Sequence, residues 1–214
     1  MITPNNLVFA IDDDESVRKS LRRFLDAAGY SVELFKSAAE FLERPLHAGP
    51  SCVVVDVQMP GLNGIELQKT LIQRRREEQL IFITGHGNIP MSVEAMKAGA
   101  VDFLPKPFKR KELLQSIERA LNRSAEQRSR ACERSDARTL LDRLTPREFE
   151  VIQLVATGML NKQVGGELGM TEKTVKCHRG SATRKLGITS VVELVHLLEK
   201  AEALASTGPP TNVR

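Results

Sequence analysis

The stretch Cys52-Val53-Val54-Val55-Asp56 decides the fold of the first half of this chain. Four consecutive apolar residues, most of them β-branched, are typical of a strand that is buried on both faces, as in a parallel sheet. A second apolar run, Leu7-Val8-Phe9-Ala10-Ile11, is followed by Asp12 and Asp13. Because the carboxyl ends of parallel strands meet at one edge of a sheet, we expect these acids and Asp56 to be neighbours.

Short apolar runs alternate with amphipathic segments over the first half of the chain, a pattern typical of repeated βα units. The predicted strands span residues 8–11, 32–35, 52–55, 80–84 and 102–104. Ser37 and Glu40 have the spacing of a capping box at a helix start, and Pro90 suits the first turn of a later helix. We therefore predict an α/β domain over residues 6–122, with a five-stranded parallel sheet in a flavodoxin-like, doubly wound arrangement.

The second half of the chain has no strand-like run, and glycines separate its helical segments. Thr145-Pro146-Arg147-Glu148 has the pattern of a capping box with proline in the first helical turn. This predicts an all-α domain over residues 140–204, in which residues 158–168 and 171–186 form a helix-turn-helix. Residues 123–139 are polar, contain neither glycine nor proline, and are predicted to be a helical linker. Residues 205–214 are predicted to be a disordered tail.

The composition excludes several classes of protein. The 214 residues are 41% hydrophobic and 27% charged, which is ordinary for a globular protein. No run approaches the roughly 20 apolar residues that cross a bilayer, and the first residues do not resemble a secretory signal, so we expect a cytoplasmic protein without a membrane partner. The three cysteines are too far apart for a disulfide framework or a zinc site. A net charge of +4 permits nucleic-acid binding without requiring it.

The three acids at the strand ends favour a small divalent metal ion. Carboxylates held close together repel one another unless a cation joins them, and their oxygen atoms suit Mg²⁺ or Mn²⁺. Asp56 stands alone at its strand end and is the candidate nucleophile toward a phosphoryl group. Thr84 and Lys106 lie at two further strand ends and could stabilise that group through a hydroxyl and an ammonium. The bond between Lys106 and Pro107 could be cis, which would aim the lysine inward, although most bonds before proline are trans.

These residues resemble the receiver domain of bacterial two-component response regulators, over residues 7 to about 122. Met59-Pro60-Gly61 and Ile83-Thr84-Gly85-His86-Gly87 resemble the FixJ-like subgroup in particular. The resemblance implies that Asp56 accepts a phosphoryl group from a phosphohistidine of a sensor histidine kinase. It also implies that Mg²⁺ is bound by Asp13, Asp56 and the backbone carbonyl of Gln58, with Asp12 assisting through water. Phe103 falls at the position of a switch aromatic residue coupled to Thr84.

The second half resembles the LuxR/NarL-type DNA-binding domain through Leu144 to Glu148, Asn161-Lys162-Gln163-Val164, Thr174-Val175-Lys176 and Lys185-Leu186-Gly187. The resemblance implies four helices, of which the third lies in the major groove of double-stranded DNA and the last forms a dimer contact. The predicted DNA-binding residues are Lys162, Lys173, Thr174, Lys176, Cys177, His178, Arg179, Gly180 and Arg184. Gly180 leaves the recognition helix without a side chain at a position that often contacts DNA.

The two resemblances together imply a transcription regulator that is phosphorylated on Asp56, forms a homodimer and binds a two-fold operator. RNA polymerase is a further candidate partner, and we do not expect an enzyme. An aspartyl-nucleophile phosphatase is one alternative, although such enzymes have a second acid where Gln58 stands. A ligand-sensing quorum regulator is another, although its sensor should contain aromatic anchors and this chain has no tryptophan and one tyrosine.

Overall fold

A computed structural model describes residues 6–85 and 89–202 of the chain. The chain divides into two compact units, with the boundary after Arg128. His86 and the predicted tail over residues 205–214 lie outside the described residues. Within the described part, no helix is both long enough and apolar enough to cross a membrane.

The first unit alternates strands and helices as expected. The strands are β1 (Leu7–Ile11), β2 (Ser31–Phe35), β3 (Ser51–Asp56), β4 (Gln79–Thr84) and β5 (Asp102–Pro105). The helices are α1 (Glu15–Ala27), α2 (Ala38–Glu43), α3 (Gly64–Gln73), α4 (Ile89–Lys97) and α5 (Arg110–Leu141). All strand pairs are parallel, in the order β2-β1-β3-β4-β5. The predicted fold class is therefore confirmed, and each predicted strand lies within one observed strand.

The sheet is buried on both faces because successive side chains of a strand point to opposite sides. On one face, Phe9, Val53 and Val55 pack with side chains of α2, α3 and α4. On the other face, Val8 and Val54 pack with side chains of α1 and α5. Covering by helices on both sides explains why the run over residues 52–55 is continuously apolar rather than alternating.

Helix α5 is 32 residues long and continues through the segment predicted to be a linker. The boundary between the two units falls within this helix. Its last turns belong to the second unit, where Ala137 and Leu141 are buried in the core of that unit. The linker segment is thus helical throughout.

As far as residue 202, the second unit contains four further helices, α6 (Pro146–Ala156), α7 (Asn161–Leu168), α8 (Glu172–Leu186) and α9 (Val191–Lys200). The capping box at Thr145 is present, with Thr145 and Glu148 each accepting from the other's backbone nitrogen. Helix α7 begins at Asn161, three residues later than predicted. The reason is that Gly158 adopts a left-handed backbone conformation (φ 89°) that ends α6, and the Gln163 side chain then caps α7 by accepting from the Leu160 nitrogen at 2.8 Å.

Candidate functional site

Three carboxylates meet at the carboxyl edge of the sheet. Asp12 and Asp13 directly follow β1, and Asp56 is the last residue of β3. Each of the three offers an oxygen atom within 4.8 Å of the others. Asp12 and Asp56 are buried, whereas Asp13 is exposed. Parallel pairing of β1 with β3 produces this cluster, because it places the two strand ends side by side.

Lys106 connects two of these acids. Its ammonium nitrogen lies 2.6 Å from Asp56 Oδ2 and 3.0 Å from Asp12 Oδ2. The lysine follows β5, and its backbone nitrogen donates to the Thr84 carbonyl at 2.7 Å, which continues the pairing of β5 with β4. The bond between Lys106 and Pro107 is cis. The ammonium of the predicted lysine is thus in direct contact with the carboxylate of the predicted nucleophile, Asp56.

The protonation of this cluster follows from burial and pairing. Burial raises the pKa of Asp12 above its ordinary value, although the hydrogen bond from Lys106 acts in the opposite direction. Burial alone would lower the pKa of Lys106, but its hydrogen bonds to Asp56 and Asp12 outweigh that effect and raise it. Lys106 is therefore charged at neutral pH and, among the described residues, is the one positive group paired with the carboxylates of Asp12 and Asp56.

Backbone donors fix the orientation of the carboxylates. The Asp14 nitrogen donates to Asp12 Oδ1 at 2.9 Å, and the Gln58 nitrogen donates to Asp56 Oδ1 at 3.1 Å. Arg18, which the sequence did not single out, donates to the Asp12 carbonyl at 2.6 Å. Its position in the first turn of α1, shortly after the end of β1, was the available signal.

The remaining predicted residues of this site lie on neighbouring elements. Thr84 is the last residue of β4 and is buried, and Ile83 beside it is in register with Asp56. Phe103 on β5 is half-buried, with its ring centroid 6.0 Å from that of Phe82. Gln58 is exposed in the loop after β3.

The donor set suits a hard divalent cation. Carboxylate oxygens from three side chains, one of them exposed, leave room for water ligands, which Mg²⁺ usually keeps. Nitrogen or sulfur ligands, which would favour zinc or copper, are absent from this group of residues in the described part of the chain. Asp12, Asp13 and Asp56 are the residues that would hold such an ion.

A second set of predicted residues lies on α8. Lys173, Lys176, Cys177, Gly180 and Arg184 are all exposed. Their spacing of three, one, three and four residues places them on one stripe of the helix. Val175, Ala182 and Leu186 occupy the buried face. The helix therefore presents two lysines and an arginine to solvent along one side, with a gap at Gly180.

Other predicted DNA-binding residues make contacts within the unit. Arg179 donates to Asn161 Oδ1 at 3.2 Å, which ties α8 to the start of α7. The Thr174 hydroxyl lies 2.8 Å from that of Thr171, the N-cap of α8. His178 is half-buried, and Lys162 is exposed at the second position of α7.

Glu148 is a structural residue of this unit whose second role the sequence did not indicate. Besides capping α6, it accepts from Ser181 at 2.6 Å and from Lys185 at 2.7 Å, both on α8. The capping box signalled a structural acid at this position, but the partners on α8 are 33 and 37 residues away. Only helix packing brings them together.

Family models match both parts of the chain. Residues 8–118 match the model described as response regulator receiver domain, and residues 142–198 match the one described as bacterial regulatory proteins, luxR family. Nodulation protein W of Bradyrhizobium diazoefficiens is 42% identical, over 97% of this chain and 91% of that protein. The transcriptional regulatory protein FixJ of Azorhizobium caulinodans is 38% identical, over 95% and 97% respectively.

A solved structure of the response regulator StyR is similar along most of the chain. It shows 47% identity with a TM-score of 0.79, covering 92% of this chain and 99% of that one. This chain therefore belongs to the response regulators, with a receiver domain followed by a LuxR-type DNA-binding domain. Membership implies transcription regulation that depends on phosphorylation. It argues against both the phosphatase and the quorum-regulator alternatives, because a receiver domain occupies the first half.

Proposed function

We propose that Asp56 accepts a phosphoryl group from a phosphohistidine of a sensor histidine kinase, and that the modified chain dimerises and binds a two-fold operator in double-stranded DNA. The observation that carries this proposal is the contact of Lys106 Nζ with Asp56 Oδ2 at 2.6 Å, in a cluster that also contains Asp12 and Asp13. A nucleophilic carboxylate with an adjacent ammonium suits phosphoryl transfer.

In the transfer, an oxygen of the Asp56 carboxylate forms a bond to phosphorus while the bond from phosphorus to the histidine nitrogen breaks. The electron pair of that bond leaves with the imidazole. The Lys106 ammonium already contacts the attacking carboxylate. Once the acyl phosphate forms, this ammonium can donate a hydrogen bond to a phosphoryl oxygen and so stabilise the transferred negative charge. Thr84, at the end of the neighbouring strand, is the candidate hydroxyl donor to a second oxygen.

A bound Mg²⁺ or Mn²⁺ would neutralise phosphoryl charge, held by Asp12, Asp13 and Asp56 together with the Gln58 carbonyl. Phe103 is the candidate switch residue, since its half-buried ring can repack when Thr84 engages a phosphoryl group. Both roles rest on the receiver resemblance and on the positions of these residues around one sheet edge.

Dimerisation is proposed to use the face formed by α4, β5 and α5. The side chains of Ile89, Val93 and Met96 on α4 are 80%, 44% and 44% exposed, which is unusual for apolar groups on one helix. A partner that covers them would remove this apolar area from water. Paired DNA-binding domains would then contact two half-sites, with Lys162, Lys173, Lys176 and Arg184 as donors to phosphates and base edges. RNA polymerase remains a candidate partner of the DNA-bound dimer.

The substitution Asp56→Asn tests the proposal. We expect it to abolish labelling by a radioactive small phosphodonor and to abolish phosphodonor-driven dimerisation in sedimentation measurements. Asp26→Asn, an exposed acid on α1, is the matched control and should behave as the wild type. Labelling of the Asp56 variant at the wild-type rate would overturn the assignment of the phosphoacceptor. Labelling of the wild type without dimerisation would overturn the proposed response.

A further inference from the structure

A cavity lies at the edge of the sheet where the strands begin, remote from the acid cluster. It has a volume of about 270 Å³ and is lined by residues that follow α2 and α3, by the start of β3 and by one side of α5. Ser51, at its wall, and Asp56 are the two ends of β3. At about 3.3 Å per residue, the two sites are about 17 Å apart along that strand.

The floor of this cavity contains an imbalance of buried charge. Arg44 and Arg76 both pair with the same oxygen, Glu78 Oε1, at 3.0 Å and 2.5 Å. All three side chains are at most 9% exposed. Glu78 Oε2 and Arg44 Nε have no hydrogen-bond partner among the described residues. Two buried guanidinium groups thus share one carboxylate as their direct ion-pair partner, and Glu33 acts on Arg44 only through its longer-range charge.

Aromatic rings offset this excess only in part. The Arg44 guanidinium lies 3.8 Å from the centre of the Phe9 ring and 4.4 Å from that of Phe41. Ring faces attract cations weakly compared with a paired anion. Consistent with an undercompensated site, burial lowers the pKa of Arg44 below its ordinary value despite the nearby Glu78.

Three further arginines line the cavity, and none of them is paired with a carboxylate among the described residues. Arg74 and Arg75 are exposed and have no ion pair within the described part of the chain. Arg128 of α5 donates to the Ala48 carbonyl and keeps its other donors. Among the residues that the structure describes, the lining contains five arginines and two glutamates. Arginine is the side chain best suited to binding phosphate or carboxylate through two parallel hydrogen bonds.

We propose that this cavity binds a small phosphate-bearing anion, through the guanidinium groups of Arg74, Arg75 and Arg128 and the positive charge buried beneath them. The volume suits a compact ligand rather than a polymer. This site is independent of the phosphoryl acceptor, since it shares no residue with it.

An anion bound here has a direct consequence for the linker helix. Ser124 and Arg128 of α5 belong to the cavity lining, and Ser124 Oγ already accepts from the Ser51 nitrogen at 3.2 Å. A ligand bonded to Arg128 and to Arg74 or Arg75 would add a bridge between α5 and the amino edge of the sheet. Occupancy of the site, and hence the ligand concentration, would therefore affect how firmly the sheet holds α5, the helix that leads into the DNA-binding domain.

Titration of the full-length chain with inorganic phosphate, at constant ionic strength and without divalent metal, tests the proposal. We expect saturable amide shifts in two-dimensional NMR spectra at Ser51, Glu78 and Arg128, with smaller changes at Asp13 and Lys176. The double variant Arg74→Gln/Arg75→Gln should bind about tenfold more weakly, because charged hydrogen bonds are lost. Hydrogen exchange of residues 124–128 should slow with phosphate in the wild type, and in this double variant only at about tenfold higher phosphate concentration.

The double variant Arg130→Gln/Arg143→Gln is the matched control, since both arginines are exposed and lie in the second unit. It removes the same charge and should keep wild-type affinity for phosphate. Equal weakening in both double variants would mean that phosphate responds to overall charge and would overturn the site. Shifts that grow linearly without saturation, or that centre on Lys176, would overturn it as well.

Discussion

Glu148 on α6 accepts a hydrogen bond from Lys185 on α8 at 2.7 Å, across 37 residues of sequence. The same carboxylate accepts from Ser181 and from the Thr145 backbone nitrogen. One buried acid therefore caps the first helix of the DNA-binding domain, α6, and holds α8 against it. Lys185 is consequently a packing contact rather than a free donor on the exposed stripe.

Acid titration should reveal this role of Glu148. The hydrogen bond from Lys185, followed by those from Ser181 and Thr145, lowers the pKa of Glu148 from 4.5 to about 2. A carboxylate with a lowered pKa stabilises the folded state fully above pH 4.5 and loses that effect as the pH falls toward 2. We expect the stability difference between wild type and Glu148→Gln to shrink across this window, measured by urea unfolding with circular dichroism. Glu167→Gln, at an exposed position, is the control for the loss of one negative charge in this unit. A constant difference for Glu148→Gln would contradict the assignment.

Two helix glycines should respond oppositely to alanine. A Cβ at Gly165 would lie 2.6 Å from the Met170 carbonyl oxygen, so Gly165→Ala must push the turn of the helix-turn-helix away. A Cβ at Gly180 meets nothing within 4 Å, so Gly180→Ala should stabilise α8 by about 1 kcal/mol through helix propensity alone. Thermal unfolding of the two variants checks the contrast. Stabilisation by both substitutions would show that α7 and the turn can separate without cost.

Removal of the Lys106 charge should make the receiver depend on divalent metal. In Lys106→Met the buried Asp12 loses its cationic partner, and we expect destabilisation of about 1 to 3 kcal/mol in a chelator. Mg²⁺ should then raise the unfolding temperature of the variant more than that of the wild type, since a second cation can balance the same acids. Lys97→Met on α4, which is exposed, is the control. Equal stabilisation of all three proteins by Mg²⁺ would contradict this expectation.

The contacts within α8 and α7 predict that Lys176 and Arg179 respond differently to substitution by alanine. Lys176→Ala should lower affinity for a duplex selected by the wild-type chain by about 1 to 3 kcal/mol without changing the unfolding temperature. Arg179→Ala and Asn161→Ala should each lower both the affinity for DNA and the unfolding temperature. The losses in the double variant should be less than additive, because the two residues share one hydrogen bond. Additive losses with unchanged stability would instead make Arg179 a direct DNA contact. Fluorescence anisotropy at several salt concentrations provides the affinities.

The sequence predicted the first unit closely because its signals are local. Continuous apolar runs, such as the one before Asp56, identify buried strands, and the observed strands extend each prediction by at most two residues. The start of α7 was wrong, because a glycine such as Gly158 can either open a helical segment or end the preceding one. The acids at the strand ends lie together as expected, since parallel pairing fixes which strand ends are neighbours.

By itself, the sequence determined the elements, the parallel sheet and the edge at which Asp12, Asp56 and Lys106 meet. Periodicity, caps and strand ends carry that information within a few residues of each position. Tertiary structure alone decided that Arg179 bonds to Asn161, and that Arg44 and Arg76 share one carboxylate. Such pairs depend on how helices and loops distant in sequence pack together, and packing geometry leaves no local pattern in the chain.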